Sequence, residues 1–449
     1  MMLIPHNMID IIERTARDVH PPLYYLVAHV WQGMFGTSEL AIRSLSTVFS
    51  LATIILVYLL VRRLFSEGTA RLAALFVALG PFVVRYSEEA RMYGMAAFFV
   101  VLATYLIVRI AAKQTASLKI WLLYGLVLAA GLYTHYYTLF IVPVHIIYLA
   151  WSRGGIKPLI TDKNWWIGNS LGALLFLPWV PTILAQTSRV QAGFWIPPVT
   201  IETGPNTFMQ FLAFLPSHAF AGWISGALLT LFTLGIIHVY VTRKNLRRQI
   251  GLLTLWLVIP LAAIMVISMA RPVYQDRYFI YCAVAMYILM AVIVTRGVWF
   301  TKRPIAQYLA VIVICGTFLG GIYSVGQSAN HQMGTVGQYV TNNYQKGDVI
   351  VSAELYTYFD FSYYNHTGQT THLLSKEPLS GYGETSLLYD RQDDIVVPSL
   401  ESIKNASRVW VVGKVGEKEY YTTEVPYNWR LSSELEAGDS AVRLYTIEE

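Results

Sequence analysis

The sequence predicts an all-α polytopic membrane bundle of about ten transmembrane helices, followed by a small C-terminal α/β domain. Three observations predict it. Apolar residues make up 55% of the 449-residue chain and charged residues only 13%. The apolar residues fall into runs near the length that crosses a bilayer. Beyond residue 327 those runs stop, and short strand-like segments replace them.

In chain order, residues 1–39 hold no apolar span and read as an outward loop with an interfacial helix over 22–35, Pro22 standing at its first position. Spans follow at 40–61, 70–84, 92–112, 119–134, 136–151, 165–185, 221–241, 250–269, 279–295 and 304–325. A bilayer core takes about 20 helical residues, so 70–84 and 136–151 must extend through flanking Tyr and Arg at the interface. The long loop 186–220 carries Phe194-Trp-Ile-Pro-Pro198 and an apolar stretch at 207–215, both suited to lie along the interface. The transmembrane domain thus runs over 40–326 and the soluble domain over 327–449, with strands expected at Asp348–Ser352, Asp394–Val397, Arg408–Val412 and Ala441–Tyr445. Asn365-His-Thr367 and Asn405-Ala-Ser407 fit the glycosylation acceptor pattern, a weak signal at three residues.

Orientation follows from the cations. Loops on one side of the membrane portion hold sixteen Lys and Arg, among them Arg62, Arg63, Arg243, Lys244, Arg247 and Arg248, and loops on the other side hold eight. The richer side is cytoplasmic by the positive-inside rule. Both termini are then extracytoplasmic, in a multi-pass protein of the plasma membrane. From residue 327 onward nine Lys and Arg face seventeen Asp and Glu, a balance of −8, whereas the preceding portion holds 24 against ten, or +14. The basicity is therefore topological and implies no nucleic-acid partner. Cys282 and Cys315 both lie in spans and form no disulfide or metal framework.

Of the ten carboxylates in the membrane portion, only Glu67 and Asp162 fall on the cytoplasmic side. Any carboxylate chemistry must then face outward. Asp18 follows Arg17, Glu88 and Glu89 lie between Arg85 and Arg91, and Asp276 precedes Arg277. A general base needs a carboxylate within reach of the proton it takes, and an anionic leaving group needs fixed cations, for which the guanidinium fork suits phosphate. Each residue also has a plain structural reading. Glu89 and Arg91 can pair at a helix end, His20 before two prolines can mark a turn, and Tyr24, Tyr25, Tyr136 and Tyr137 can form an aromatic belt. His135 can be a satisfied interface residue, and Arg277 with Tyr278 can anchor a helix. What favours function is that these outward loops gather on one side of one bundle.

The segment His20-Pro-Pro-Leu-Tyr-Tyr25, then Trp31, Phe35-Gly36, Glu39 and Arg43-Ser-Leu-Ser46, then Tyr86-Ser-Glu-Glu-Ala-Arg-Met-Tyr93 and Arg277-Tyr278, resembles the family 39-type glycosyltransferases. These are GT-C fold enzymes related to protein mannosyltransferases and lipid A aminoarabinose transferases. The similarity runs from about residue 18 through the last spans, and in the tail it is confined to Phe359-Asp-Phe-Ser-Tyr-Tyr364. The resemblance implies transfer of a hexose or pentose from a polyprenyl-phosphate carrier to a lipid, glycan or protein acceptor on the outer face, with inversion. It places His20, Glu89, Arg91 and Tyr93 around the donor sugar and phosphate, with Tyr24 and His135 beside them, and makes Arg277 with Tyr278 a second phosphate contact. Asp18 and Glu89 are the catalytic candidates, Asp18 as the base. Glu88 departs from the family's usual Gln, and a carboxylate there repels phosphate or binds a cation. Whether a divalent cation joins the site is left open, since no ligand cluster of diagnostic spacing appears; no other cofactor is called for.

The resemblance also implies one further span and an outward loop whose Asp lies about two dozen residues before His20-Pro-Pro, which falls just upstream of Met1. The expectation is a start that lacks the first transmembrane span and the principal catalytic Asp. Two rival classes are a transporter of lipid-linked sugars and a noncatalytic scaffold presenting the C-terminal domain. A transporter predicts ionisable residues near mid-span and broken helices around a central site, and these spans carry almost no charge.

Overall fold

A computed structural model describes residues 6–113, 116–190, 196–215, 222–328, 332–379, 381, 383–404, 406–416 and 424–448. Phe194, Trp195 and Asn405, singled out above, lie outside the described residues. The chain divides into two compact units, residues 3–325 and 326–449.

The first unit is helical throughout. Its opening helices are α1 (Met8–Arg17), α2 (Leu23–Phe35), α3 (Glu39–Leu64), α4 (Glu67–Leu79), α5 (Pro81–Ser87), α6 (Tyr93–Ala111), α7 (Leu118–Thr134) and α8 (Ile141–Ser152). Their starts are written in the sequence. Asn7 accepts from the backbone N–H groups of Ile9 and Asp10, Ser38 from Ala41 and Ser66 from Thr69, each satisfying donors that a helix N-terminus leaves open.

Every apolar run picked out above coincides with a helix, but they are not equivalent. Among the described residues seven helices are long and apolar enough to cross a membrane, and the pair α4 and α5, bent by 56°, makes an eighth if it is one span. The runs at 119–134 and 136–151 form the shorter helices Leu118–Thr134 and Tyr136–Ser152. The protein is thus a multi-pass membrane protein whose ten apolar runs comprise seven or eight full-length spans among the described residues and two shorter apolar helices. The bend has a local cause. Pro81 has no N–H to continue the α4 ladder, and a Cβ on Gly80 would lie 2.2 Å from Cε2 of Tyr287, so glycine alone fits there. A second close approach joins α7 to the helix Lys163–Phe176, where a Cβ on Gly125 would lie 2.1 Å from the carbonyl oxygen of Gly168. Small residues at helix contacts let backbones meet in this way.

Burial grades the bundle from centre to rim. In the span Asp276–Arg296, 83% of the apolar window is buried, against 11% for Trp223–Thr242 and 17% for Pro304–Gln327. The first is the axis of the unit, and the other two present apolar side chains outward, as lipid-facing helices do.

The second unit is an α/β fold around a six-stranded sheet. Its strands are β1 (Val349–Ser352), β2 (Thr371–Leu374), β3 (Val396–Val397), β4 (Arg408–Lys414), β5 (Trp429–Ala437) and β6 (Ser440–Ile447). They lie in the order β3-β2-β1-β4-β6-β5, the first four parallel and the last two antiparallel. One face packs Ile350, Trp410, Val412 and Val442 against Met333, Val336 and Val340 of the helix Met333–Asn343 and Phe361 of the helix Leu355–Tyr364. The other buries Val351, Val409, Val411 and Ala441 with Leu400 and Tyr445. β4 is therefore buried on both sides, which is why its sequence is a continuous apolar run. The expected strand Asp394–Val397 is only half right, because Gln392–Ile395 makes a helical turn and just Val396 and Val397 pair.

Candidate active site

Four separate parts of the first unit supply the candidate residues. Asp18 is the C-cap of α1, its N–H donating to the Arg14 carbonyl at 3.0 Å. Two residues on, His20 Nδ1 lies 3.3 Å from Asp18 Oδ2, and both side chains are largely shielded from solvent. Pro22 caps α2, one position earlier than expected. Burial alone would raise the Asp18 carboxyl, but the hydrogen bond and charge of His20, helped by Arg91, outweigh it and hold Asp18 below its ordinary value. Asp18 is therefore ionised.

The segment between α5 and α6 supplies Glu89, Arg91 and Tyr93. Burial works against the charge of Arg91, yet the surrounding phenols of Tyr25 and Tyr93 and the carboxylates of Glu89 and Asp18 fix it as a cation. Glu89 is not paired with Arg91 in an ion pair; its carboxylate lies 3.7 Å from Arg85 one helical turn earlier. The Tyr93 hydroxyl is buried with no hydrogen-bond partner among the described residues.

His135 caps the short turn after α7, and its Nδ1 accepts from the Tyr137 N–H at 3.2 Å. Burial, reinforced by the charges of His20, Arg277 and Arg91, pushes its pKa down to about 3. The ring is thus neutral, and with Nδ1 accepting, its proton is on Nε2. Around it stand Tyr278 at 4.8 Å, Tyr137 at 5.1 Å, and both His20 and Tyr93 at 6.4 Å between ring centroids. Arg277, in the turn Asp276–Phe279 that leads into the axial helix, lies over the Tyr278 ring at 5.8 Å.

Eight of the ten predicted residues thus converge: Asp18, His20, Glu89, Arg91, Tyr93, His135, Arg277 and Tyr278. Tyr24 borders the group, within the influence of Arg91 and Glu89, and Glu88 stands outside it. The Tyr24 hydroxyl lies 3.4 Å from Ser46 Oγ, which itself donates to the Arg91 carbonyl at 3.1 Å, so Tyr24 is linked to the Arg91 backbone through Ser46. Glu88 is exposed at the C-cap of α5, and no hydrogen bond or ion pair of its side chain appears among the described residues. Tyr24 and Tyr25 are buried, which removes them from an aromatic belt. Among the described residues no group of three or more His, Cys, Asp or Glu is placed to hold a metal ion.

Residues 19–181 match the model of the dolichyl-phosphate-mannose-protein mannosyltransferase family. The solved structure of ArnT from Cupriavidus metallidurans in the apo state superposes with a TM-score of 0.63 at 12% identity, covering 95% of this chain and 87% of that one. The same protein bound to undecaprenyl phosphate gives 0.60 at 13% identity, covering 95% and 88%. This chain has the GT-C glycosyltransferase fold. The resemblance drawn from His20-Pro-Pro and Tyr86–Tyr93 is borne out, and both motifs fall within the matched stretch. A search of curated sequences found no significant match. Within the GT-C fold, sequence reasoning missed Tyr136, Tyr137 and Gln186 as supports of the site. All three make long-range hydrogen bonds that no local pattern announces.

Proposed function

We propose that this protein transfers a sugar from a polyprenyl-phosphate carrier to an acceptor on the extracytoplasmic face of the membrane, inverting the anomeric carbon. One observation carries the reading: Arg277 lies over the Tyr278 ring at 5.8 Å, that ring meets His135 at 4.8 Å, and His135 in turn lies 6.4 Å from His20, whose Nδ1 is 3.3 Å from the Asp18 carboxylate, with the Arg91 cation beside them. That is an arrangement for taking a proton from one reactant while charge builds on a phosphate of the other. The ArnT structure solved with undecaprenyl phosphate makes a carrier of that kind the natural donor.

In this mechanism the acceptor's hydroxyl oxygen forms the new bond to the anomeric carbon. The bond from that carbon to the phosphate oxygen breaks, and the oxygen keeps the electron pair. The acceptor proton passes to Asp18, while Arg91 and Arg277 neutralise the leaving phosphate and His135 donates from Nε2. Glu89 orders Arg85 and faces the donor sugar. A single displacement inverts the configuration.

The test uses the full chain in lipid nanodiscs with polyprenyl-phosphate sugars, following release of polyprenyl phosphate. Glu89→Ala should lower turnover clearly, by less than loss of the base at Asp18. Unchanged turnover of the lipid-linked sugar in that variant would leave the scaffold reading standing. Orientation is tested separately: a reporter after Lys244 should read as cytoplasmic and one after Glu449 as extracytoplasmic, and the reverse at both would move the site to the wrong face.

A further inference from the structure

Tyr136 and Tyr137 stand side by side in the turn that begins at His135, yet their hydroxyls bind to opposite ends of the site. We propose that this turn sets the spacing of the site, Tyr136 holding the carboxylate end and Tyr137 the cationic end. The inference rests on the reading of the site given above.

The first arm runs through Gln186. The Tyr136 hydroxyl lies 2.6 Å from Gln186 Oε1 and receives the indole N–H of Trp179 at 2.8 Å. An indole nitrogen can only donate, so Tyr136 accepts from Trp179 and spends its own proton on Gln186. The Gln186 amide then has one orientation, with Nε2 directed at the carbonyls of Thr15 at 2.9 Å and Ala16 at 3.4 Å, groups that can only accept. Those carbonyls belong to the last turn of α1, whose cap is Asp18. Gln186 is 4% exposed, so nothing in solvent replaces these bonds.

The second arm is shorter. The Tyr137 hydroxyl donates to the Val273 carbonyl at 2.6 Å, and the Tyr281 hydroxyl donates to the Tyr137 carbonyl at 2.8 Å. Val273 precedes, and Tyr281 follows, the turn that carries Arg277 and Tyr278. The Tyr137 ring meets Tyr278 edge-on at 5.3 Å. Neither hydroxyl is directed at the ring cluster itself. Tyr136, Tyr137 and Gln186 are therefore positioning residues, acting through Asp18 and Arg277.

The two arms predict different losses. Asp18 is faced by His20, Tyr25, Arg91 and Tyr136, with Arg14 and Arg17 on its own helix. If the end of α1 moves away from His20, burial is less opposed and the carboxyl keeps its proton to higher pH. Activity that needs the carboxylate then fails at a higher pH as the medium is acidified.

The experiment compares Tyr136→Phe and Tyr137→Phe in the full chain in nanodiscs. Gln186→Met repeats the first arm and Tyr281→Phe the second, for the case in which a tyrosine variant does not fold. Variants of the first arm should lower kcat roughly tenfold, the loss of about one hydrogen bond, and move the acid limb of the pH profile upward. Their KM for the donor should stay within about twofold. Variants of the second arm should weaken binding of polyprenyl phosphate roughly tenfold and leave the acid limb where it was. Equal effects of both arms on both readouts, or no effect of either, would overturn the proposal. Tryptic cleavage after Arg17 and binding of polyprenyl phosphate need no turnover. A chain without transferase activity that still shows faster cleavage in the first arm and weaker binding in the second would refute the reading of function and keep that of the turn.

Discussion

His135 and His145 lie ten residues apart, and both are buried, yet they are opposite kinds of residue. His145, inside α8, has both ring nitrogens engaged, Nε2 with Thr104 Oγ1 at 3.0 Å and Nδ1 with the Tyr124 hydroxyl at 2.9 Å. It closes a polar account within the bundle and has nothing left to offer. His135 has only Nδ1 engaged among the described residues, and two arginines and a second histidine act on it. A buried polar side chain in a membrane bundle thus marks a site only when its hydrogen-bonding capacity is left over and charge is gathered around it.

The contrast is broken or sharpened by substitutions on its two sides. The largest effect is expected at Asp18→Asn, where loss of the base should lower kcat roughly 10²- to 10⁴-fold without changing the melting temperature in detergent; normal turnover would remove Asp18 from the chemistry. Arg91→Lys and Arg277→Lys keep the charge and lose the fork, and each should cost about 10²-fold in turnover with normal membrane insertion. If both Lys variants transfer sugar normally, the cluster is structural and the two histidines are alike after all.

His20→Ala addresses pH. The carboxyl of Asp18 is held low in the native protein, so its ionised form persists as pH falls below the usual carboxylate range. Without His20, burial is opposed only by the Val19 backbone hydrogen bond and Arg91, and the ratio of activity at about pH 5 to that at about pH 7 should drop relative to the native protein. An unchanged ratio would show that His20 does not govern Asp18. The smallest catalytic effect is expected on the other side of the comparison. His145→Leu strands the Tyr124 hydroxyl, while Thr104 keeps its bond to the Val100 carbonyl; the cost of about 1–3 kcal/mol is read as a lower melting temperature, while kcat per folded molecule stays the same. A collapse of kcat with unchanged melting would reverse the assignment of the two histidines.

Much of this was legible because hydropathy and spacing are local properties. The ten apolar runs and the grouping of Asp18, His20, Glu89, Arg91 and Arg277 follow from residue type and order, whereas the break at Gly80-Pro81 falls inside the run 70–84 that reads as one span. The unread parts depend on what comes near from far away. The contact of the Tyr24 hydroxyl with Ser46, 22 residues on, is one that no local pattern announces. Of the two helices that fall short of a full crossing, the run at 136–151 is visibly short in the sequence, whereas 119–134 reads as an ordinary span by composition. In the tail, β5 was invisible because it is a polar edge strand with a register break between Leu431 and Ser433, which disrupts the alternation by which strands are recognised. β2, as short as β1, carries Thr-His-Leu-Leu where β1 has Val-Ile-Val-Ser, and without a β-branched apolar run it does not stand out from a loop.

The link from Tyr24 through Ser46 to the carbonyl of Arg91 has a consequence for anyone who would exchange parts between enzymes of this fold. Three stretches that look like independent cassettes are stitched at one oxygen atom, the Ser46 hydroxyl, which serves a tyrosine on one side and the main chain of an arginine on the other. A chimera joined anywhere between residues 24 and 91 inherits half of the stitch from each parent. The smallest transplantable unit is therefore the whole interval from His20 to Tyr93, and a change of substrate preference by grafting must carry α3 along even though that helix contributes no side chain to the reacting centre.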